Sequence, residues 1–368
     1  MKPHIALFLP SLEGGGAERA FVDLANQFVD LGVRVDLVLV RAKGPYLSEV
    51  RSEVLVVDLQ GIRTTLAVLK LFRYLRKNRP DAIISGLDTA NMASMIACIA
   101  AGCSNRAIFT QRAILRECYR LQYPHTHRAW LAILRLIYAR ARLIISNSHA
   151  ASYDLCEGFG IPPAKLAVIH NSVDINRIER LAIEDPKHPW TTSSAKPLIL
   201  SVGSLTPRKD FSTLLRAFVI VQQSLDCNLV VLGEGTERLR LEALAQEIGV
   251  ADSVQFLGFD ANPFRWMARA RVIASSTLAE GCPNVIQQAL ACGTPIVATD
   301  CPGGTSEILE SGKWGRLVPV ANPQAMADAI IATLKDKSHP DGRMRAVDFD
   351  PKRNAQEYLK LVLPESIP

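Results

Sequence analysis

The segment "LAEGCPNVIQQALACGTPIVATDCPGG" (residues 278–304) places a carboxylate, a glycine and a proline just before a predicted helix. The first N–H groups of a helix have no partner within it, and together with the helix dipole they form a site for an anion such as a diphosphate. Gly281 lets a ligand approach the backbone, and Pro283 suits the first helical position. Glu280 is itself anionic, so we expect it to accept hydrogen bonds from sugar hydroxyls beside the phosphates.

A basic pair in "SLTPRKDF" strengthens this prediction. Arg208 and Lys209 follow a predicted strand, and they offer a forked donor and a compact charge, which together suit a leaving diphosphate. Neighbouring basic residues are more often a solvated loop pair, so the pair gains meaning only beside the helix start. Gln288 lies one helical turn after Asn284 on the same face, where it could reach a ribose diol.

Two glycine-rich turns, "GGGAER" (14–19) and "GEGTER" (233–238), are ambiguous by themselves. Neither is the G-x-G-x-x-G of a dinucleotide site, and no acidic residue plainly ends the second strand. An NAD-dependent dehydrogenase is therefore a less favoured alternative. The sequence also lacks H-E-x-x-H, zinc spacings and a D-x-D between strands, so we expect no metal and no cofactor.

The elements that must position these residues alternate between apolar strands and amphipathic helices. Such alternation predicts parallel sheets with crossover helices, and a polar, proline-bearing stretch at 184–197 interrupts it once. We therefore predict an N-terminal Rossmann-like domain over residues 1–185, a second over 197–345, and a C-terminal helix over 350–368 that packs back on the first. Ligands of open parallel sheets bind beyond the carboxyl ends of the strands, so two such domains would face a cleft.

The charge of the chain is uneven. The 368 residues carry a net charge of +6, and Arg106–Arg142 holds eight arginines against the single acid Glu117. That concentration favours an anionic partner, and it leaves open a membrane surface, a phosphorylated acceptor or nucleic acid. The segment "HRAWLAILRLIYARAR" (127–142) is basic and amphipathic, as in helices that lie on anionic lipid, although packing on its own sheet is the simpler interpretation.

Compartment signals favour the cytosol. The eight cysteines show no C-x-x-C pairing, the N-terminus has no signal-peptide core, and no long apolar run predicts a membrane span.

The motifs resemble a known family. "SVGSLTPRKDFSTLLRAF", the segment 280–309 and "GGGAERAFVDLANQF" are similar to the family-4 retaining glycosyltransferases, which have the GT-B fold, and most similar to bacterial enzymes that build surface polysaccharides or lipid-linked glycans. The resemblance implies that Arg208, Lys209 and Glu280 carry the chemistry. It implies a nucleotide-sugar donor held by a set that comprises Gly14, Gly15, Gly16, Ser204, Gly233, Gly235, Gly258, Phe259, Gly281, Cys282, Pro283, Asn284, Val285 and Gln288. It implies an acceptor site with Asp88, Gln111, Arg112 and Arg116.

Four residues depart from the family pattern. Gln288 stands where an acid usually completes an E-x7-E pair, and the amide should cost about tenfold in donor affinity. Gln111 and Arg112 occupy the place of a histidine, and Ser204 that of a frequent arginine.

The sequence thus predicts a metal-independent, retaining transferase that moves a hexose or N-acetylhexosamine from a nucleotide diphosphate, UDP rather than GDP, to a lipid-linked or growing glycan. We expect it in the cytoplasm, peripheral to the inner face of the plasma membrane through Arg106–Arg142, and without a nucleic-acid partner. The alternative is a catalytically impaired relative that binds nucleotide sugar or assists assembly.

Overall fold

The computed structural model describes residues 2–13, 15–123, 125–192, 196–336 and 338–363, without the side chains of residues 65, 121 and 122. The described residues form two units, one of residues 2–172 with 351–363 and one of residues 173–350. The division precedes the polar stretch that the sequence suggested as the linker, because helix α7 (Ile175–Ala182) packs with the second unit.

The first unit contains a parallel sheet of seven strands among its described residues. Their order is β3-β2-β1-β4-β5-β6-β7. The strands are β1 (His4–Leu9), β2 (Arg34–Leu39), β3 (Leu55–Asp58), β4 (Ala82–Gly86), β5 (Ala107–Gln111), β6 (Leu143–Ser146) and β7 (Leu166–Val168).

Helices cover both faces of this sheet, because successive side chains of a strand point to opposite faces. In β1, Ile5 and Leu7 face one core and Ala6 and Phe8 face the other. Helices α2, α3 and α5 pack on the Phe8 side, while α1 and the C-terminal helix α15 pack on the Ile5 side. The helices of this unit are α1 (Gly16–Asp30), α2 (Val68–Asn78), α3 (Asp88–Ala101), α4 (Leu115–Gln122), α5 (His127–Tyr138), α6 (His149–Tyr153) and α15 (Pro351–Val362).

The second unit repeats this design with six strands in its described part. Their order is β10-β9-β8-β11-β12-β13, and all pairs are parallel. The strands are β8 (Leu198–Val202), β9 (Asn228–Leu232), β10 (Val254–Gly258), β11 (Val272–Ser275), β12 (Ile296–Thr299) and β13 (Arg316–Val318).

The helices of the second unit again form two layers. One face of the sheet packs against α7, α10, α11 and α14, and the other against α8, α9 and α13. Besides α7, they are α8 (Phe211–Gln222), α9 (Arg238–Glu247), α10 (Phe264–Met267), α11 (Asn284–Cys292), α12 (Thr305–Ile308), α13 (Pro323–Lys335) and α14 (Arg343–Ala346). The predicted α/β class, with two doubly wound parallel sheets, is confirmed.

Each sheet has a point where the strand order reverses. In the second sheet the chain runs outward from β8 through β9 to β10, then returns to the other side of β8 with β11. The loops after β8 and β11 therefore leave adjacent strands in opposite directions and open a crevice at their carboxyl ends, where ligands of such sheets bind. The equivalent point of the first sheet lies between β1 and β4.

Candidate active site

Three predicted residues meet at the crevice between β8 and β11. Lys209 Nζ lies 2.6 Å from Glu280 Oε2, and Arg208 Nη1 lies 2.8 Å from the same oxygen. Arg208 also donates to the carbonyl of Ala279 at 2.7 Å. The basic pair follows β8 and the acid follows β11, so the reversal of strand order brings them together.

The backbone of the basic pair is fixed by the loop that follows β11. Leu278 N donates to the carbonyl of Arg208 at 2.8 Å, and Ser276 Oγ donates to that of Lys209 at 3.0 Å. Thr277 Oγ1 contacts the Arg208 carbonyl at 3.2 Å. Ser276 and Thr277 are buried, and sequence reasoning missed both, since a short polar pair after a strand gives no distinctive signal.

Asp210 fixes the same turn from the other side. Its backbone is left-handed, with φ of 44°, and its carboxylate accepts from the Thr213 hydroxyl at 2.6 Å at the start of α8. The basic pair therefore sits in a turn held at both ends.

A glycine holds Glu280 in place. Glu280 forms a parallel bridge with Gly303, in the loop after β12, and its N–H donates to the carbonyl of Pro302 at 3.1 Å. Gly303 has φ of 143°, and a Cβ there would lie 1.5 Å from the carbonyl oxygen of Glu280. Only glycine fits this contact, so Gly303 is a site residue that the sequence analysis did not select.

The electrostatic balance at Glu280 favours the ionised form. Burial alone raises the pKa of this carboxyl, but the charges of Lys209 and Arg208 outweigh burial and hold the pKa below its ordinary value of 4.5. Glu280 is therefore a carboxylate near neutral pH. The three side chains together carry one net positive charge.

The anion site predicted at the helix start lies beside this cluster. Helix α11 begins at Asn284, one residue later than predicted, because Pro283 has an extended ψ of 105° and precedes the first helical residue. Gly281 accepts a hydrogen bond from Gly304 N at 2.7 Å, and Cys282 is buried. Val285 and Gln288 are partly buried on the first turns of the helix.

The remaining predicted donor residues of this unit lie along the same edge of the sheet. Gly233 N donates to the carbonyl of Gly258 at 2.7 Å, and a Cβ on Gly233 would lie 1.9 Å from the carbonyl oxygen of Gly203. Gly235 makes a similarly close approach to Leu205, at 2.2 Å. Ser204 and Phe259 are exposed where β8 and β10 end. The glycines thus let three adjacent loops pack closely, and donor contact by this group stays a prediction.

The glycine-rich turn of the first unit follows β1. Gly14 lies outside the described residues, Gly15 precedes α1 in an extended conformation, and Gly16 is the first residue of that helix. A contact between this turn and a donor stays a prediction.

Two of the predicted acceptor residues share a buried polar network. The Tyr138 hydroxyl lies 3.1 Å from Asp88 Oδ1 and 2.8 Å from Gln111 Oε1, and it accepts from Asn91 Nδ2 at 2.9 Å. Tyr119 donates to the other Asp88 oxygen at 3.0 Å. Burial raises the pKa of the Asp88 carboxyl although both tyrosines donate to it. Because one Tyr138 proton faces two acceptors, a protonated Asp88 would supply the missing donor.

The other two acceptor candidates have internal partners. Arg112 donates to Asn171 Oδ1 at 2.8 Å and lies over the ring of Phe21. Arg116 pairs through its side chain with the buried carboxylate of Asp154. The structure therefore places Asp88 and Gln111 together at the ends of β4 and β5, and Arg112 beside them.

Several arginines of the Arg106–Arg142 stretch are engaged within the fold. Arg106 donates to the carbonyls of Arg79 and Pro80, Arg140 to that of Leu136, and Arg142 to that of Val362. Arg120 pairs with Glu117. The ion pairs of Arg116 and Arg120 offset two of the positive charges of this stretch, whereas donation to a carbonyl leaves an arginine charged.

Within the described ranges, no group of three or more histidine, cysteine or acidic side chains could hold a metal ion. Across the same ranges, no helix is both long and apolar enough to cross a bilayer.

Comparison with known proteins places this geometry in a family. A family model described as "Glycosyltransferase Family 4" matches residues 14–177, and one described as "Glycosyl transferases group 1" matches residues 196–336. A Campylobacter jejuni protein named N-acetylgalactosamine-N,N'-diacetylbacillosaminyl-diphospho-undecaprenol 4-alpha-N-acetylgalactosaminyltransferase is 30% identical, and the match covers 98% of this chain and 99% of that one. The chain belongs to the family-4 glycosyltransferases.

Two further comparisons agree with this family-4 assignment. A second C. jejuni protein, a GalNAc-alpha-(1->4)-GalNAc-alpha-(1->3)-diNAcBac-PP-undecaprenol alpha-1,4-N-acetyl-D-galactosaminyltransferase, is 25% identical over 97% of this chain and 98% of its own. The crystal structure of Anabaena HepE with UDP and glucose superposes with a TM-score of 0.81 at 23% identity, over 98% of this chain and 99% of that one. The latter likeness concerns the fold alone, and the predicted GT-B fold is confirmed.

Proposed function

We propose that this glycosyltransferase moves a hexose or N-acetylhexosamine, with retention of configuration, from a nucleotide diphosphate sugar to a lipid-linked or growing glycan. The observation that carries the proposal is the cluster of Lys209, Arg208 and Glu280 beside the start of α11. N-acetylhexosamine is the favoured sugar class, since the C. jejuni relative is by name an N-acetylgalactosaminyltransferase. UDP is the favoured nucleotide, as in the HepE crystal structure that contains UDP.

Lys209 and Arg208 would stabilise the leaving diphosphate. An ammonium group has three donors, and among the described residues Lys209 Nζ bonds to Glu280 alone, so it can keep that bond while donating to phosphate. Cleavage of the glycosyl–phosphate bond leaves negative charge on the diphosphate, next to two fixed cations and the first amides of α11. Groups aimed at charge that develops in the transition state lower the barrier to reaction.

Glu280 would hold the donor sugar rather than protonate the leaving group. Its lowered pKa keeps it ionised, so it can accept hydrogen bonds from sugar hydroxyls but has no proton to give. Its pairing with two cations also makes it a poor nucleophile. We therefore propose attack by the acceptor hydroxyl on the face that the diphosphate leaves, with the leaving phosphate taking the acceptor proton.

Metal independence is part of the proposal. Arg208 and Lys209 supply the positive charge that a divalent cation would otherwise bring to the diphosphate. The rate of sugar transfer should therefore be unchanged in an excess of EDTA. A rate that EDTA abolishes and Mg²⁺ or Mn²⁺ restores would contradict metal independence.

The proposed acceptor is a polyprenol diphosphate that carries a growing glycan. Both C. jejuni relatives act, by name, on undecaprenol-linked glycans. Arg112 lies beside Asp88 and Gln111 at the carboxyl edge of the first sheet, where its guanidinium would offer one positive charge to such an acceptor. We place the enzyme in the cytoplasm, peripheral to the inner face of the plasma membrane.

A transfer assay tests the proposal. Purified protein is incubated with radiolabelled UDP-N-acetylhexosamines or UDP-hexoses and extracted lipid-linked glycan, and the anomeric configuration of the product is read by NMR. We expect label in the lipid fraction, with the anomer of the donor retained. Inversion would contradict the retaining mechanism, and donor binding without transfer would favour an impaired relative.

Gln288 is the observation that favours such an impaired relative as the second candidate. An amide can accept from one ribose hydroxyl and donate to the other, whereas a carboxylate accepts from both. Gln288→Glu should keep activity or raise donor affinity by about tenfold, measured as the Kd for UDP by calorimetry. Weaker nucleotide binding in this variant would mean that Gln288 does not face the ribose.

A further inference from the structure

The outer face of one helical layer of the first unit is both apolar and basic. Helices α2, α3 and α5 lie side by side on the sheet, with α2 against α3 and α3 against α5. Across these three helices the sequence places six lysines and arginines, and Asp88 is their single acidic residue. Asp88 is turned inward to Tyr119 and Tyr138.

Large apolar side chains on this layer and the loop before it are exposed to solvent. Ile62 is 89% exposed, Leu66 67% and Leu136 63%. Leu69, Ile96 and Ile99 are exposed as well, so each of the three helices contributes. The inward residues of α2, which include Leu71 and Leu75, are buried in the core, whereas Leu69 on the same helix is exposed. Large apolar side chains that are exposed on neighbouring helices point to an interaction site.

In the part of the chain that the structure describes, the cations beside these residues have no acidic partner. Arg63, Lys70, Arg73, Arg76 and Lys77 are exposed, and none forms an ion pair with a carboxylate of the described residues. Lys70 donates only to the carbonyl of Gln60. The arginines that follow β5 behave differently, because Arg116 and Arg120 pair with acids of the same unit.

We propose that this layer, which we call the α2–α3–α5 face, docks on an anionic phospholipid surface. Its cations would lie among the headgroups, and Ile62, Leu66 and Leu69 would enter the boundary between headgroups and acyl chains. A second copy of the chain is a poor occupant, because it would bring two sets of unpaired cations together. Nucleic acid would match the charge but would leave the leucines and isoleucines in water.

The inference refines the membrane contact expected from the sequence. That expectation rested on Arg106–Arg142, where Arg116 and Arg120 have acidic partners within the fold. The α2–α3–α5 face shifts the contact to α2, α3 and the outer side of α5.

Vesicle binding by matched variants of the full chain tests the proposal. The first pair compares Lys70→Glu/Arg73→Glu with Lys352→Glu/Lys360→Glu. Both double variants change the net charge equally, but Lys352 and Lys360 lie exposed on α15, which packs on the opposite side of the same sheet. The second pair compares Leu69→Glu with Leu361→Glu, which is exposed on α15.

The wild type should co-sediment with phosphatidylglycerol–phosphatidylcholine vesicles at low salt, and the bound fraction should fall as the salt concentration rises. The α2 variants should bind about tenfold more weakly, and the α15 variants should change by less than about twofold. Equal losses in both members of a pair, no binding by the wild type, or tighter binding to duplex DNA or RNA than to vesicles would overturn the proposal.

A second measurement tests the proposal in case an α2 variant does not fold. A polarity-sensitive fluorophore on Leu69→Cys should shift to the blue with anionic vesicles, whereas the same label on Leu361→Cys should not. An equal response at both positions would also overturn the proposal. Neither assay contains a sugar donor, so the outcome is independent of whether transfer occurs.

Discussion

At the scale of single residues, Glu280 is the most constrained group of the site. A single carboxylate oxygen, Oε2, accepts hydrogen bonds from both Lys209 and Arg208. The backbone of Glu280 is fixed by the loop after β12. An ion pair of this kind that is mostly withdrawn from water contributes to stability only while both partners are charged. Its contribution therefore depends on pH.

Glu280→Gln should lower the free energy of unfolding by about 3 kcal/mol at neutral pH, because two cations lose their shared partner. The folded-state pKa of Glu280 lies below 4.5, so the contribution is complete above that pH and disappears as pH falls through the folded-state value. Urea denaturation of both proteins between pH 3 and pH 8 measures the difference.

The control is Asp226→Asn, which removes an exposed carboxylate from its pair with Lys196 and should shift the midpoint far less. An equal shift of the midpoint in the two variants at neutral pH would contradict the ion-pair account.

Residue chemistry at the site could be predicted from the sequence in part. Arg208, Lys209 and Glu280 were identifiable because they follow strands that a doubly wound sheet places side by side. Their mutual ion pairs were not, since charge type suggested phosphate for the cations and hydroxyls for the acid. The Asn91–Tyr138 network escaped prediction because its members are far apart in sequence and ordinary in type.

At the scale of elements, the site depends on how closely three loops approach. The loops after β8, β11 and β12 carry, in that order, the basic pair, Glu280 and Gly303. Alternating strands and helices predict which loops share an edge, but not the distance between their backbones. That distance is set here by glycines, and the glycine pair after β12 was the available signal.

Gly303→Ala should destabilise the second unit by about 3 kcal/mol or more and weaken donor binding, because its Cβ would lie 1.5 Å from the Glu280 carbonyl oxygen. Urea denaturation and UDP titration measure the two effects.

Gly249→Ala is the control that separates the effect of the close contact at Gly303 from the effect of a positive φ. Gly249 also has a positive φ, of 76°, but nothing lies within 4 Å of its Cβ position, so alanine there should cost about 1 kcal/mol and leave UDP binding unchanged. Equal costs at the two positions would show that the approach to Glu280 does not matter.

At the scale of the whole molecule, the chain returns to its first unit at the end. Helix α15 follows the second unit in sequence, yet Ala355, Tyr358 and Leu359 are buried against the core that contains Ile5 and Phe21. Asn354 Nδ2 donates to the carbonyl of His170 at 2.6 Å, and Arg142 donates to that of Val362. The last helix is thus a structural part of the first unit.

Tyr358→Ala should lower the free energy of unfolding by about 3 kcal/mol through the cavity that it leaves, whereas Leu361→Ala on the exposed side of α15 should cost well under 1 kcal/mol. Thermal and urea unfolding of the full chain measure both. Equal effects would mean that α15 does not complete the core of the first unit.

The sequence predicted the buried central strands of the two sheets better than it predicted their edge strands. Buried strands such as β1 and β9 are continuous apolar runs, which the sequence analysis identified. Strand β3 was missed because it is a mostly exposed edge strand of four residues, and β13 because it has three. Short edge strands are defined by pairing to a neighbour, and composition alone does not reveal that pairing.

The central claim is that Lys209 and Arg208 hold the diphosphate of the donor. Calorimetric titration of the wild type and Lys209→Ala with UDP and with uridine tests it directly, because the two ligands differ only in the diphosphate. The account predicts that Lys209→Ala weakens UDP binding by about tenfold to a hundredfold and leaves uridine binding unchanged. Equal weakening of both ligands, or unchanged UDP binding, would contradict it.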